Sequence, residues 1–269
     1  MLTDAGLAGA IDLHLHLGPD PVVPRMYDIE EGARRAAAAQ MGGFVVKSHS
    51  YDTSALTRVV GSHYPSMIVA GGITLDPPVG GLNPRALDVA ASLGARMVWM
   101  PTQGRLSVMS ADDPAVLAPE MNEILAIVRE HGLILASGHL TADEIRVLVP
   151  KAVRLGIEKI VVTHAMNRRV GPELSIPVQK ELVGMGAFIE HCYTTTLPPS
   201  GVPCERIAEA IRATGPDRVV VSTDLGKRTN VDPFTGFEIF IGELLKAGLP
   251  RQAVDRMTKI NPAYLLSPG

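Results

Sequence analysis

The chain has 269 residues, 20% of them charged, and a formal net charge of −3. That length holds one large domain with a full core, and a (β/α)8 barrel takes about 250 residues. The slight acidic excess offers no basic surface to nucleic acid or an anionic membrane, so a small-molecule substrate is the expected partner, with a homo-oligomer left open.

The N-terminal stretch from Met1 to Leu17 lacks a basic n-region, and Asp12, His14 and His16 interrupt its apolar run, so it reads as no export signal. No window reaches the roughly 18 to 20 apolar residues of a membrane span. Two cysteines, Cys192 and Cys204, are too few for a disulfide framework. A soluble, cytoplasmic protein is expected.

Eight short apolar, β-branched runs follow one another along the chain: 10–17, 43–49, 67–75, 96–101, 133–139, 159–164, 187–193 and 218–224. Several are apolar on both faces, as in Ile160-Val161-Val162 and Val219-Val220-Val221, which marks parallel strands covered on both sides. Helical stretches separate them. Asp28 with Glu31 reads as a capping box, with Gly42 as the left-handed stop, and Thr141 with Glu144 opens a helix ending near Gly156. Asn83-Pro84 and Asp232-Pro233 place a cap residue before a proline at the first helical position. Alternating strands and helices imply βα units, and eight of each point to one (β/α)8 TIM barrel spanning 1–269, with an open doubly wound sheet as the alternative.

Six of the eight histidines, His14, His16, His49, His139, His164 and His191, fall at or near the C-terminal end of a strand. In a barrel all these ends share one face, so distant residues converge there and a metal site is expected on that face. His14 and His16 are two apart and share a face, with Asp12 expected one pleat deeper on the same face. Asp224 closes strand eight. Crowded imidazoles present lone pairs to one another when neutral and repel when protonated, and a divalent cation relieves both conditions. Zinc suits nitrogen and carboxylate ligands first, with manganese, iron, cobalt or nickel as alternatives, and one or two ions are expected.

The strand Asp12-Leu13-His14-Leu15-His16, single histidines His139 and His164 on strands five and six, Asp224 on strand eight and the closing Asn261-Pro262-Ala263 with Leu265-Leu266 together resemble the amidohydrolase superfamily. The resemblance covers nearly the whole chain. It implies that His14, His16 and Asp224 bind the first metal. His139 and His164 would complete a second site, or, in a one-metal arrangement, His139 joins the first site and His164 orients water. One part of the pattern is missing: strand four, Arg96 to Pro101, has neither the lysine nor the glutamate that bridges two ions. Lys47, two residues before His49 on the same face of strand two, could be carbamylated and bridge, or could bind an anionic substrate directly. On strand seven, alternation permits either Glu190 and Cys192 or His191 and Tyr193 to face inward.

An ion lowers the pKa of a water it holds to about 7 and polarises a carbonyl or phosphoryl oxygen, so hydrolysis of an amide, lactone or other ester-type bond is the expected reaction. The resemblance implies Asp224 as the proton carrier and His164 as the group that steers or stabilises the developing oxyanion. Asp12 reads as an acceptor for a ligand imidazole or as a carboxylate paired with backbone donors. The loops after the strands carry Arg105, Arg168, Arg169, Lys227 and Arg228, any of which could anchor an anionic substrate; Arg105, Arg168 and Arg228, together with His49, are singled out as candidate contacts. The rival readings are a decarboxylase or deaminase of the same superfamily, a phosphoesterase, and a metal-binding protein without turnover.

Overall fold

The computed structural model describes residues 6–104 and 106–268. Eight strands, β1 (Ile11–Leu15), β2 (Gly43–Val46), β3 (Ile68–Thr74), β4 (Met97–Trp99), β5 (Ile134–Ala136), β6 (Ile160–Val162), β7 (Phe188–Cys192) and β8 (Val219–Ser222), pair in sequence order, every pair parallel. Each lies inside one of the eight apolar runs. Between and after them come α1 (Ile29–Ala38), α2 (Ser54–Gly61), α3 (Pro84–Ser92), α4 (Glu120–Glu130), α5 (Ala142–Arg154), α6 (Ile176–Gly184), α7 (Cys204–Thr214) and α8 (Pro233–Lys246), then the terminal helices α9 (Arg251–Asp255) and α10 (Asn261–Leu266).

The sheet closes. Asp224 N–H donates to the His14 carbonyl at 2.8 Å, His16 N–H donates to the Leu225 carbonyl at 2.8 Å, and Leu15 and Leu225 form a parallel bridge. Asp12 secures this seam: one carboxylate oxygen accepts the backbone N–H groups of His14 (3.0 Å) and Thr223 (3.1 Å), and the other accepts the Thr223 hydroxyl (2.5 Å). The open-sheet alternative is thereby excluded, and the fold is a single (β/α)8 barrel.

Two apolar layers follow from the strand pleat. Ile11, Leu13, Val45, Trp99, Val161 and Val220 fill the barrel, and Leu265 and Leu266 from α10 join them at its base. The alternate strand residues pack outward against the helices. Asn261 donates to the carbonyls of Pro216 (2.8 Å) and Val219 (2.7 Å), which pins α10 beneath the start of β8. Among the described residues, no helix is long and apolar enough to cross a membrane.

Three local expectations need correction. The β1–β2 register shifts between Asp12 and Leu15, so Ile11 and Leu13 face the barrel interior whereas Leu15 and Leu17 belong to the outer layer. This irregularity removes Asp12 from the face of His14 and His16 and gives it to the seam. After α1 the left-handed residue is Gln40 (φ 56°), not Gly42. Asp28 caps Glu31 N–H at 2.8 Å, but the Glu31 carboxylate turns to Arg34 and Arg35, leaving the capping box half made; at Thr141 and Glu144 the box is complete.

Asp12→Ala removes the acceptor for two buried N–H groups and a hydroxyl and is expected to cost about 2 to 4 kcal/mol. Urea unfolding measures it, and a loss below about 0.5 kcal/mol would contradict the seam's role.

Candidate metal centre at the barrel mouth

His14 occupies the middle of the C-terminal end of the barrel, fully buried. Its ring is 5.4 Å from that of His16, 6.0 Å from His164 and 6.1 Å from Trp99, centroid to centroid. Asp224 Oδ1 lies 3.2 Å from His14 Nε2 and 3.1 Å from His16 Nε2, and these three donors form one convergent group. Asp224 Oδ2 accepts the Thr194 hydroxyl at 2.8 Å. Lys47 Nζ reaches His14 Nε2 at 3.2 Å and lies 5.6 Å over the Trp99 ring. The His139 ring is 5.0 Å from His164 and 6.4 Å from His49, which stacks 5.2 Å from His16. Closure thus brings His14, His16, Lys47, His49, His139, His164 and Asp224 to one mouth.

Backbone conformation helps present two of these side chains. His164 (φ 31°) and Asp224 (φ 54°) both have positive φ, costly for a residue other than glycine and common where a site is built. Two glycines permit close approach beside them. A Cβ on Gly226 would meet the His16 carbonyl oxygen at 1.7 Å, and one on Gly138 would meet the Met100 carbonyl oxygen at 2.1 Å. No side chain fits at either position.

Strand seven resolves to Glu190 and Cys192 facing inward. Glu190 Oε2 sits 3.1 Å from His14 Nδ1 and also accepts the backbone N–H of His164 at 3.2 Å. One carboxylate oxygen therefore holds a β1 ring and the chain just after β6. Receiving an N–H from His14 Nδ1 leaves the Nε2 lone pair aimed at Asp224 and His16, the orientation a metal ligand needs. Cys192 Sγ is 3.9 Å from the same Nδ1, and Glu190, Cys192 and His14 make a second convergent group. His191 faces the helices, buried and with neither ring nitrogen hydrogen-bonded among the described residues.

Electrostatics favour a cation. Burial pushes His16 well below its ordinary pKa, His139 down to about 2 and His164 down to about 4, so these imidazoles are neutral. Burial alone would raise the Asp224 carboxyl, but His14 and the hydrogen bond with His16 hold it well below the usual carboxylate range. Burial would likewise raise Glu190, yet His14 brings it to about 2. Burial lowers Lys47, against the pull of Asp224, Glu190 and Asp76. Both ring nitrogens of His164 are buried without a hydrogen-bond partner among the described residues. Neutral imidazoles, an ionised carboxylate and orphaned nitrogens fit a divalent metal ion. The fit to a second ion is poorer, because β4 (Met97, Val98, Trp99) carries no bridging ligand side chain and presents the buried Trp99 indole to His14 and Lys47.

A pocket of about 270 Å³ opens over this centre, lined by His16, Lys47, His49, His139 and Asp224 and by loop residues that include Arg25, Arg169 and Lys227. Of the candidate anion contacts, His49 lines it, with Nδ1 held by Thr102 Oγ1 (2.7 Å) and Asp76 Oδ2 (3.1 Å). Arg168 instead turns to Glu173 at 3.0 Å, and Arg228 is exposed outside the lining. Of the other loop cations named from the sequence, Arg169 and Lys227 do line the pocket, because a one-residue shift on a loop reverses which side chain faces inward. Arg105 lies outside the described residues. Sequence reasoning missed Arg25 and Asp76; both follow strand ends, but nothing in their local sequence distinguishes them from solvated loop charge.

Compared with protein-family models, residues 9–190 match DUF6282, a family of unknown function. The chain belongs to DUF6282. The matched span carries His14, His16, Lys47, His49, His139, His164 and Glu190, whereas Asp224 lies beyond it and joins the centre through barrel closure. No curated protein matches the chain. Among solved structures it is similar to a putative 2-pyrone-4,6-dicarboxylic acid hydrolase from Pseudomonas putida (17% identity, 96% of this chain and 97% of that one, TM-score 0.66). It is also similar to an amidohydrolase from Burkholderia multivorans with bound zinc (12%, 97% and 100%, 0.63) and to 2,6-dihydroxybenzoate decarboxylase from Rhizobium (12%, 96% and 98%, 0.57). At these identities the likeness establishes the fold, so this DUF6282 chain shares its (β/α)8 barrel with these enzymes.

Two outcomes are expected. The buried imidazoles titrate below the value near 6.5 of the unfolded chain, so acid favours unfolding: metal-free stability is full above about pH 6.5 and lost as pH falls toward 4. Thermal unfolding in chelator at about pH 7.5 and about pH 5 checks it, and equal midpoints would refute neutral burial. Glu190→Ala should weaken zinc binding by about 10- to 100-fold, read by competition with a chromophoric chelator, while the fold persists by circular dichroism.

Proposed function

We propose that this chain is a metal-dependent hydrolase that cleaves an amide, lactone or other ester-type bond of a small substrate. The observation that supports this most is that Asp224 Oδ1 lies 3.2 Å from His14 Nε2 and 3.1 Å from His16 Nε2, with His16 and Asp224 lining an open pocket. A closed four-ligand site would serve structure alone, whereas an open one leaves room for water and substrate. His14, His16 and Asp224 hold one ion, with His139 and His164 beside it, and zinc suits these donors best. The bound ion supplies acidification of water and polarisation of the substrate oxygen.

The remaining steps belong to the protein. Asp224 accepts a proton from the attacking water and returns it to the leaving group, its Oδ2 steadied by Thr194. His164, neutral and with free ring nitrogens, steers the nucleophile or donates to the developing oxyanion. Trp99 and Lys47 wall the floor; a second ion would bind only with Lys47 carbamylated, since β4 brings no bridging ligand. The same centre would serve decarboxylation, the activity named for the Rhizobium neighbour, and release of carbon dioxide without hydrolysis would identify that reaction. Both cysteines are free, which fits a reducing cytoplasm.

Elemental analysis of protein purified without chelator should return about one zinc or equivalent divalent ion per chain, falling to near zero in His16→Ala. A hydrolysis screen over amides, lactones, ureas and phosphoesters should yield a substrate for which Asp224→Asn lowers kcat by about 10²- to 10⁴-fold. An unmodified protein that takes up no metal even on reconstitution would end this reading.

A further inference from the structure

The loop between β1 and α1 folds back over the barrel mouth and is stitched to the loop after β8. Met26 N–H donates to the Gly226 carbonyl at 2.8 Å, Arg228 N–H donates to the Pro24 carbonyl at 3.1 Å, and Arg25 pairs with Lys227 as an antiparallel bridge. Residues opposite one another in such a pair send their side chains to the same face. Here both side chains line the pocket that holds His16 and Asp224.

Arg25 is built into this wall. Its side chain is only 4% exposed, and both Nε (2.7 Å) and Nη2 (2.5 Å) reach Asp20 Oδ2. Asp20 Oδ1 is engaged in turn by the N–H groups of Val22 and Val23, each at 2.9 Å. Asp20 thus orients the guanidinium through one edge and leaves Nη1 with no protein acceptor among the described residues. Lys227, exposed beside it, has no ion-pair partner among the described residues. Arg25 and Lys227 share a single compensating carboxylate among the described residues, and Arg169 adds a further cation to the same lining, so the pocket wall carries excess positive charge.

We infer that Arg25 Nη1 and Lys227 Nζ form a subsite for one carboxylate group of the substrate, next to the metal centre. This rests on reading the pocket as the active site of a hydrolase, and it narrows the substrate class to small carboxylic acids whose acid group is distinct from the bond cleaved. A guanidinium held in one orientation and an ammonium beside it present two donors to the two oxygens of a carboxylate.

Isothermal titration with benzoate, neutral benzamide and inorganic phosphate tests the subsite on zinc-reconstituted and on chelator-treated protein. Benzoate should bind in both metal states and benzamide in neither. Lys227→Met should weaken benzoate by at least about tenfold, with zinc stoichiometry and unfolding midpoint unchanged. Arg25→Met should do the same; if it unfolds, the exposed Lys227 position decides alone. Absent benzoate binding, equal binding of benzamide, tighter binding of phosphate lost in the same variants, or full benzoate affinity in Lys227→Met would each overturn the inference. Binding that disappears on chelation would place the anion on the ion and overturn it as well. Benzoate binding intact in a protein that takes up no zinc would keep the subsite and remove the hydrolase reading.

Discussion

Both ring nitrogens of His14 are claimed by carboxylates: Glu190 at Nδ1 from β7, and Asp224 at Nε2 from the end of β8. Neither carboxylate is near His14 in the chain, and both reach it only because β8 closes against β1. The seam that makes this possible is itself polar, with Asp12 binding the N–H groups of His14 and Thr223. A residue that closes the barrel therefore also sets where the first candidate ligand stands. Loosening the seam would shift His14, His16 and Asp224 relative to one another, and a metal centre tolerates such shifts poorly.

Burial at this centre has opposite effects on its two kinds of group. It drives His16, His139 and His164 toward neutrality and would by itself neutralise Asp224 and Glu190 as well, yet His14 and its neighbours keep both carboxylates ionised. The resulting set of neutral nitrogens and anionic oxygens is poorly compensated by protein alone, as the His164 ring nitrogens, without a hydrogen-bond partner among the described residues, illustrate. An ion supplies the missing interactions. The rim differs in sign: Arg25 is half of a buried pair with Asp20, and Lys227 adds a charge with no ion-pair partner among the described residues, so the wall of the pocket favours an anion while its floor favours a cation.

Much of this was readable in the chain. Strand runs apolar on both faces located all eight strands, since parallel strands are buried on both sides, and histidines at their ends marked the catalytic face because every parallel strand ends there. What failed was parity. The irregularity in β1 moved Asp12 off the face of His14, only Arg169 and Lys227 among the loop cations Arg168, Arg169, Lys227 and Arg228 line the pocket, and strand seven could have faced either way until Glu190 was seen against His14. Alternation specifies faces only while the pleat is regular, and loops have no period at all.

By itself, the order of residues determined the number and direction of the strands, the helices between them and the side of the molecule on which imidazoles and Asp224 would gather, because these follow from local hydrophobic period and capping chemistry. Only the tertiary structure decided that the sheet closes, that Glu190 rather than His191 turns inward, that Trp99 packs beside His14 and Lys47, and that Arg25 stands beside Lys227. Those outcomes depend on contacts between segments far apart in the chain, whose distances and facing no local pattern encodes.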